Sequence, residues 1–180
     1  MKQAIFLDRD GVLLENRPNY VRTWEEAEIY PGVLEALAKA SRSAYKFVIV
    51  TNQSGVGRGL LDVEEAEAIN RQLVIEVHRA GGRIDAVCMC IHTPEQGCDC
   101  RKPKPGLLLH VAGLLGIDLK NSVMIGDAVT DMEAGEAAGV GKVAIVRTGR
   151  GNEQAGELQS NGSDNHQIFE DLQSALTELI

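Results

Sequence analysis

The sequence predicts a doubly wound α/β fold, a Rossmann-like parallel sheet with helices on both faces. Three observations predict it. Five short apolar runs, Ala4–Leu7, Phe47–Val50, Val87–Ile91, Val123–Ile125 and Val143–Val146, are mostly rich in β-branched residues, as strands buried on both faces are. Helical periodicity fills the stretches between them. Polar, chemistry-bearing residues then follow directly on the runs, where an open parallel sheet carries its site.

The elements follow in order. Strand one runs into Asp8-Arg9-Asp10-Gly11, and Gly11–Tyr30 is a longer excursion than a turn needs, though too short for a second domain. Pro31–Ala44 carries Val33, Leu34, Leu37 and Ala38 on one helical face. Strand two runs into Thr51-Asn52-Gln53-Ser54-Gly55, after which Asp62 and Glu65 form a capping box opening a long helix that ends near Gly81-Gly82. Strand three runs into His92 and, soon after, Arg101-Lys102-Pro103-Lys104; Pro105 suits the first turn of a helix through Leu115. Strand four runs into Gly126-Asp127, and Asp131–Ala138 reads as a shorter helix. Polar Gly149–Asn165 reads as a mobile surface connection whose start could line the site, and His166–Leu179 as a closing amphipathic helix. Residues 1–180 are expected to form one domain, large enough to bury its core without disulfides.

Charge and cysteine usage narrow the function. A net charge of −8 excludes a general binder of nucleic acid or acidic membrane, since both need a basic surface. A small anionic substrate stays open, because a few local cations and a metal ion outweigh a diffuse negative surface. The apolar run Ala4–Leu7 is too short for a signal peptide or anchor, so a cytoplasmic protein is expected, and a monomer. In a reducing compartment the clustered Cys88, Cys90, Cys98 and Cys100 point to metal rather than disulfides. Cys90, His92, Cys98 and Cys100 together suit a closed, structural tetrahedral Zn²⁺ site with no position left for water. Cys88 lies two residues before Cys90 and is better read as a small buried hydrophobe than as a competing ligand.

Asp8 and Asp10, one residue apart at the end of a strand, can face the same side. Carboxylates that close need a divalent cation or a shared proton, and Asp127 offers a third at another strand end. A hard cation such as Mg²⁺ takes such oxygen ligands. Alone, Asp8 and Asp10 are also what a turn before glycine would carry. Thr51, Lys102 and Asp127 at neighbouring strand ends make the catalytic reading the stronger one. His78 and His110 fall inside helices and read as packing or surface residues; nothing marks His166, and Trp24 and Tyr20 read as packing of the excursion, although Tyr20 could touch substrate.

DRDGV, TNQSG, RKPKPG and GDAVTD, in that order, resemble the four motifs of the haloacid dehalogenase superfamily of phosphatases, over about residues 4 to 150. The resemblance implies that Asp8 is a nucleophile forming an aspartyl-phosphate, and that Asp10 protonates the leaving alkoxide and then activates water. It implies Mg²⁺ held by Asp8, the backbone carbonyl of Asp10, and Asp127, with Thr51 and a lysine on the phosphoryl oxygens. Lys102 and Lys104 are both candidates for that lysine. In the subfamily the chain most resembles, the pattern Cys-Arg-Lys-Pro, a variable residue and Pro-Gly matches residues 100 to 106 and selects Lys102. Substrate contacts are then expected from Asn16, Arg17 and Asn19 in the excursion, from Asn52, Gln53 and Ser54, and from Arg101 on a second anionic group.

The zinc loop directly before Arg-Lys-Pro, without an inserted cap domain, resembles the group of heptose bisphosphate and histidinol-phosphate phosphatases. A sugar bisphosphate is the expected substrate and histidinol phosphate or another sugar phosphate the alternative. A receiver-like phospho-accepting domain would also place Asp, Thr and Lys at strand ends. It would carry its acceptor after a middle strand, however, and has no use for a zinc loop. A zinc-stabilised binding protein with a dead site is opposed by the intact Asp8, Asp10, Thr51, Lys102 and Asp127 set.

Overall fold

The computed structural model describes residues 2–160 and 166–180. Its centre is one six-stranded sheet, built from β1 (Ala4–Leu7), β2 (Lys46–Asn52), β3 (Ala86–Cys90), β4 (Val123–Gly126), β5 (Lys142–Val146) and β6 (Gln167–Phe169) in the order β3-β2-β1-β4-β5-β6. Every pairing is parallel. The predicted doubly wound fold is therefore observed, with β1 in the middle and the chain winding outward from it in both directions. Strand order reverses at β1, and the crevice at such a reversal opens beyond the carboxyl ends of the strands.

The side-chain period of two divides each strand between two cores. Ile5 and Leu7 of β1, with Phe47, Ile49, Val123 and Ile125, face α1 (Val33–Ala40), α3 (Val63–Arg79) and α7 (Leu172–Leu179). Ala4 and Phe6, with Val48, Val50, Met124 and Ile145, face α4 (Gly106–Leu115), α5 (Val129–Ala138) and α6 (Gly151–Ser160). A seventh helix, the short α2 (Ser54–Gly57), follows β2 directly. All of β1 is buried, and each large apolar side chain so placed contributes about 1.5–3 kcal/mol. That double burial holds the end of β1, and hence Asp8, in place.

Two expectations at the carboxyl end are corrected. Gly149–Asn165 is not a surface connection throughout: Gly151–Ser160 is helical, and 161–165 lie outside the described residues. His166–Leu179 is not one helix, since Gln167–Phe169 add the sixth strand beside β5 before α7 begins at Leu172. The amphipathic stripe belongs to α7 alone, where Leu172, Ala175, Leu176 and Leu179 are buried behind an Asp171 cap that accepts from Ser174 N–H at 2.8 Å. Smaller differences concern ends: the first helix stops at Ala40 and α5 begins at Val129. The capping box on α3 is present, with Glu65 accepting from the Asp62 N–H at 2.7 Å.

The excursion after β1 is tied to the body. Leu14 bridges Ile29, Val12, Leu13, Leu14 and Val21 are buried, and Trp24 packs against the same core. Its outer part forms one wall above the strand ends. Among the described residues, no helix is long and apolar enough to cross a membrane.

Candidate active site

Asp8 follows β1 directly and is 6% exposed. Its Oδ1 accepts from the Arg9 N–H at 2.8 Å and meets the Lys102 ammonium at 2.9 Å. Lys102 is equally buried, and its Nζ also reaches Asp131 Oδ1 at 2.6 Å and donates to the Val50 carbonyl at 2.8 Å. The Asn52 side chain fixes the lysine backbone from both sides, accepting from its N–H at 3.1 Å and donating to its carbonyl at 3.0 Å. A buried lysine keeps its charge only with such partners. Lys104, by contrast, points out along the zinc loop to Asp99 at 3.0 Å, so of the two candidates Lys102 is the one inside the site.

Asp127 follows β4 with no exposed surface, and Asp8, Asp127 and Asp131 offer carboxylate oxygens within 4.8 Å of one another. Gly11 and Gly149, at φ values of 93° and 60°, let two loops close on Asp127; a Cβ on either would run into its carboxylate. Asp10 is turned differently. Its carboxylate accepts a bidentate pair from the fully buried Arg9, Nε to Oδ2 at 3.2 Å and Nη2 to Oδ1 at 3.1 Å, and a further bond from the Gln53 amide at 2.6 Å. The same Gln53 amide donates to Thr51 Oγ1 at 2.8 Å. The Asp10 carboxylate is thus engaged by Arg9 and Gln53 and is not one of the three clustered carboxylates.

Burial is the largest influence on Asp8. Together with the Asp131 and Asp127 charges it outweighs Lys102 and raises the carboxyl from 3.8 to about 7. A divalent cation at these oxygens would restore the ionised form. The linkage has a definite sign. A folded-state value above the unfolded one gives a contribution present below about pH 4 and lost as pH rises toward 7. In magnesium-free buffer, replacing Asp8 by Asn should therefore raise the melting temperature relative to wild type progressively across that interval. Added Mg²⁺ should shrink the gap by stabilising wild type alone. A gap that stays constant with pH would contradict the buried-acid account.

The strand-end cleft has a volume of about 570 Å³. Asp10, Asn16, Arg17, Tyr20, Asn52, Gln53, Ser54, Arg101, Lys102 and Arg150 are among the residues lining it. Asn16 donates to Asp127 Oδ2 at 2.8 Å, and Arg101 reaches the His92 carbonyl at 3.3 Å beside the zinc loop. Tyr20, in a left-handed conformation at φ 64°, brings its hydroxyl to 3.3 Å from Ser54 Oγ. Arg17 sits on the rim, paired with Glu28, while Asn19 is exposed and not among the lining residues. A second groove of about 870 Å³ between α3 and β3 is mostly apolar and lies away from the carboxylates.

The cysteine loop closes on itself. Sγ–Sγ distances among Cys90, Cys98 and Cys100 are 3.2, 3.4 and 3.7 Å, and His92 Nδ1 lies 3.3 Å from Cys100 and 3.6 Å from Cys90. A disulfide needs about 2.05 Å, whereas the edge of a tetrahedron with Zn–S bonds of about 2.3 Å is roughly 3.8 Å. The donors fit zinc. Burial pushes the Cys90 thiol up to about 12, a cost that a cation holding the thiolate removes. Cys88 is outside this group and packs beside it on the second core. His78 accepts from the Ile84 N–H at 3.4 Å, His110 is exposed, and His166 pairs with Glu136 at 2.8 Å.

A family model described as HAD-hydrolase-like matches residues 99–175. A Pseudomonas aeruginosa protein named D-glycero-β-D-manno-heptose-1,7-bisphosphate 7-phosphatase is 35% identical, covering 99% of this chain and 98% of its own. The chain belongs to the HAD-like hydrolases. A Vibrio cholerae protein of the same name is 42% identical over 87% of each chain. The crystal structure of D,D-heptose 1,7-bisphosphate phosphatase from B. bronchiseptica, complexed with magnesium and phosphate, superposes with a TM-score of 0.90 at 34% identity, covering 98% of this chain and 97% of that one. This HAD-like protein is a phosphatase, with Mg²⁺ as its catalytic cofactor and a Cys₃His cluster suited to structural zinc.

Asp131, Arg9 and Arg150 were not singled out as site residues from sequence. Asp131 lies within GDAVTD, but as an acid in the first turn of a helix it is also what a plain cap would be, and it does accept from the Ala128 N–H at 3.1 Å. Arg9 lies within DRDGV, but nothing there shows that its side chain turns inward to Asp10 and Asn70; Arg150 lies outside the four motifs.

Proposed function

We propose that this phosphatase removes the 7-phosphate of D-glycero-D-manno-heptose 1,7-bisphosphate through an aspartyl-phosphate on Asp8. The observation that carries the chemistry is the buried group of Asp8, Lys102, Asp127 and Asp131 at neighbouring strand ends, open to a cleft that also holds Arg101. The named relatives, matched over nearly their whole length, support the substrate.

Asp8 attacks phosphorus in line, and the bond to the ester oxygen breaks. Asp10, held by Arg9 and Gln53, gives its proton to the departing alkoxide. It then takes a proton from water, which attacks the same phosphorus, releases inorganic phosphate and restores Asp8. Thr51 and Lys102 hold the phosphoryl oxygens, whose charge spreads in the transition state. Mg²⁺ would be held by Asp8, the Asp10 carbonyl and Asp127, and when bound would supply charge neutralisation at the attacking carboxylate and the transferring group. Asp131 keeps Lys102 charged and aimed. Arg101, together with Asn16, Arg17, Ser54 and the Asn52 edge of the cleft, orients the sugar and its second phosphate; Asn19, exposed and outside the lining, is given no contact. Cys90, His92, Cys98 and Cys100 would hold zinc, which would fix the loop that carries Arg101 beside the cleft. A cytoplasmic location suits these reduced thiols.

Phosphate release across both heptose bisphosphate anomers, fructose 1,6-bisphosphate and histidinol phosphate tests the reading. One equivalent per heptose bisphosphate is expected, with kcat/KM at least about tenfold above the others. Two equivalents, or a preference for histidinol phosphate, would overturn it.

A further inference from the structure

Asp127 has no exposed surface, yet much of what satisfies it comes from one half-exposed residue. Arg150 donates its backbone N–H to Oδ2 at 2.9 Å, its Nε to Oδ2 at 3.3 Å and its Nη2 to Oδ1 at 3.2 Å. Asn16 adds a donor to Oδ2 at 2.8 Å. The three carboxylates of Asp8, Asp127 and Asp131 are therefore matched by two cations: Lys102 serves Asp8 and Asp131, and Arg150 serves Asp127. A divalent cation drawing an oxygen from Asp127 needs lone pairs that the guanidinium uses. The backbone N–H and the Asn16 amide can stay, because they hold one oxygen and leave the other free. The side chain of Arg150 is the competitor.

Its alternative position is already at hand. The Arg150 side chain is 58% exposed and lines the cleft with Arg101. A guanidinium matches phosphate and carboxylate with the same fork of donors, so leaving Asp127 for a phosphate exchanges one bidentate partner for another.

We propose that Arg150 swings between Asp127 and the substrate: the divalent cation displaces its guanidinium from the carboxylate, and the freed guanidinium clamps the non-reacting phosphate of a bisphosphate. Metal and bisphosphate then bind cooperatively, each strengthening the other by the same factor. The clamp half of this rests on the bisphosphatase reading; the exchange on Asp127 does not.

Mg²⁺ titration calorimetry on the full zinc-loaded chain, comparing wild type with Arg150→Gln and Arg150→Lys, tests the exchange. Removing a partly exposed competing cation should tighten Mg²⁺ binding by about fivefold in Arg150→Gln, with Arg150→Lys in between. Unchanged or weaker binding in Arg150→Gln overturns the proposal. Steady-state kinetics on fructose 1,6-bisphosphate and fructose 6-phosphate test the clamp. Arg150→Gln should raise KM for the bisphosphate about tenfold more than for the monophosphate, the loss of one charge-assisted pair. An equal rise for both overturns it. Failure of wild type to release phosphate in a Mg²⁺-dependent way would instead defeat the phosphatase reading, and the Mg²⁺ affinity ratio would still decide the exchange.

Discussion

Replacing Asp8 by Asn should lower phosphate release by roughly 10⁴-fold or more while leaving the protein folded and at least as stable. The amide nearly matches the carboxylate in shape, and its oxygen can still accept from the Arg9 N–H and Lys102. What it cannot do is attack phosphorus or carry the charge that draws Mg²⁺. The stability half follows from burial. The Asp8 carboxyl is pushed up to about 7, so near neutral pH the folded metal-free protein holds a carboxylate that it disfavours. An amide removes that cost, and each kcal/mol relieved raises the melting temperature of a chain this size by about 2–4 °C. Lys102 keeps Asp131 and the Val50 carbonyl, so no buried ammonium is orphaned. Activity assayed beside a thermal melt and Mg²⁺ calorimetry checks all three consequences. Substantial residual turnover would remove Asp8 from the nucleophile's role, and unfolding would show that its negative charge supports the structure.

The parts of this architecture that were legible in the sequence are those where burial leaves a pattern. The middles of β1, β2, β4 and β5 are hidden on both faces and apolar, so the runs stand out, with polar residues only at the ends of β2 and the start of β5. β6 is an edge strand of three residues, Gln167-Ile168-Phe169, and only Phe169 is buried. Too short to show alternation, it was absorbed into the neighbouring α7 stripe. The helix from Gly151 to Ser160 was hidden by its own composition, since Gly151, Asn152, Gly156 and Ser160 are poor helix formers. In the site, residues that act through a backbone-adjacent motif were found, and those that act through a partner were not. Arg9 is fully buried only because Asp10 and Asn70 accept from it, and a sequence does not show that α3 will bring Asn70 there. Arg150 meets Asp127 across 23 positions for the same reason. Lys102, by contrast, was separable from Lys104 by motif alone; it lies against Asp8 and Asp131, while Lys104 lies against Asp99.

Loss of the zinc ligands should damage the substrate end of the site more than the reacting end. The loop from Cys90 to Cys100 begins at the last residue of β3, contains only a short 3-10 turn at Pro94–Gln96, and contributes little to either core beyond its own cysteines. Without a metal it has three thiols and an imidazole crowded together, held by scattered hydrogen bonds such as those from the Gln53, Gly57 and Gly106 N–H groups to the Cys90, Ile91 and Asp99 carbonyls. Cys100→Ser should therefore cost on the order of 3 kcal/mol, a fall of about 6–12 °C in melting temperature, with loss of bound zinc. Arg101 follows Cys100 directly and leans on the His92 carbonyl within the same loop, so its position goes with the metal. Lys102 has independent anchors in Asp8, Asp131, the Val50 carbonyl and Asn52. KM for a bisphosphate should accordingly rise by more than kcat falls. Cys88→Ser is the matching control: Cys88 packs on the second core outside the ligand group, so zinc content should stay while stability drops by about 1 kcal/mol. Metal analysis, calorimetric melting and kinetics on the two variants separate the roles. If Cys100→Ser keeps its zinc, or if kcat collapses while KM holds, the loop is not the scaffold of Arg101 but part of the machinery around Lys102.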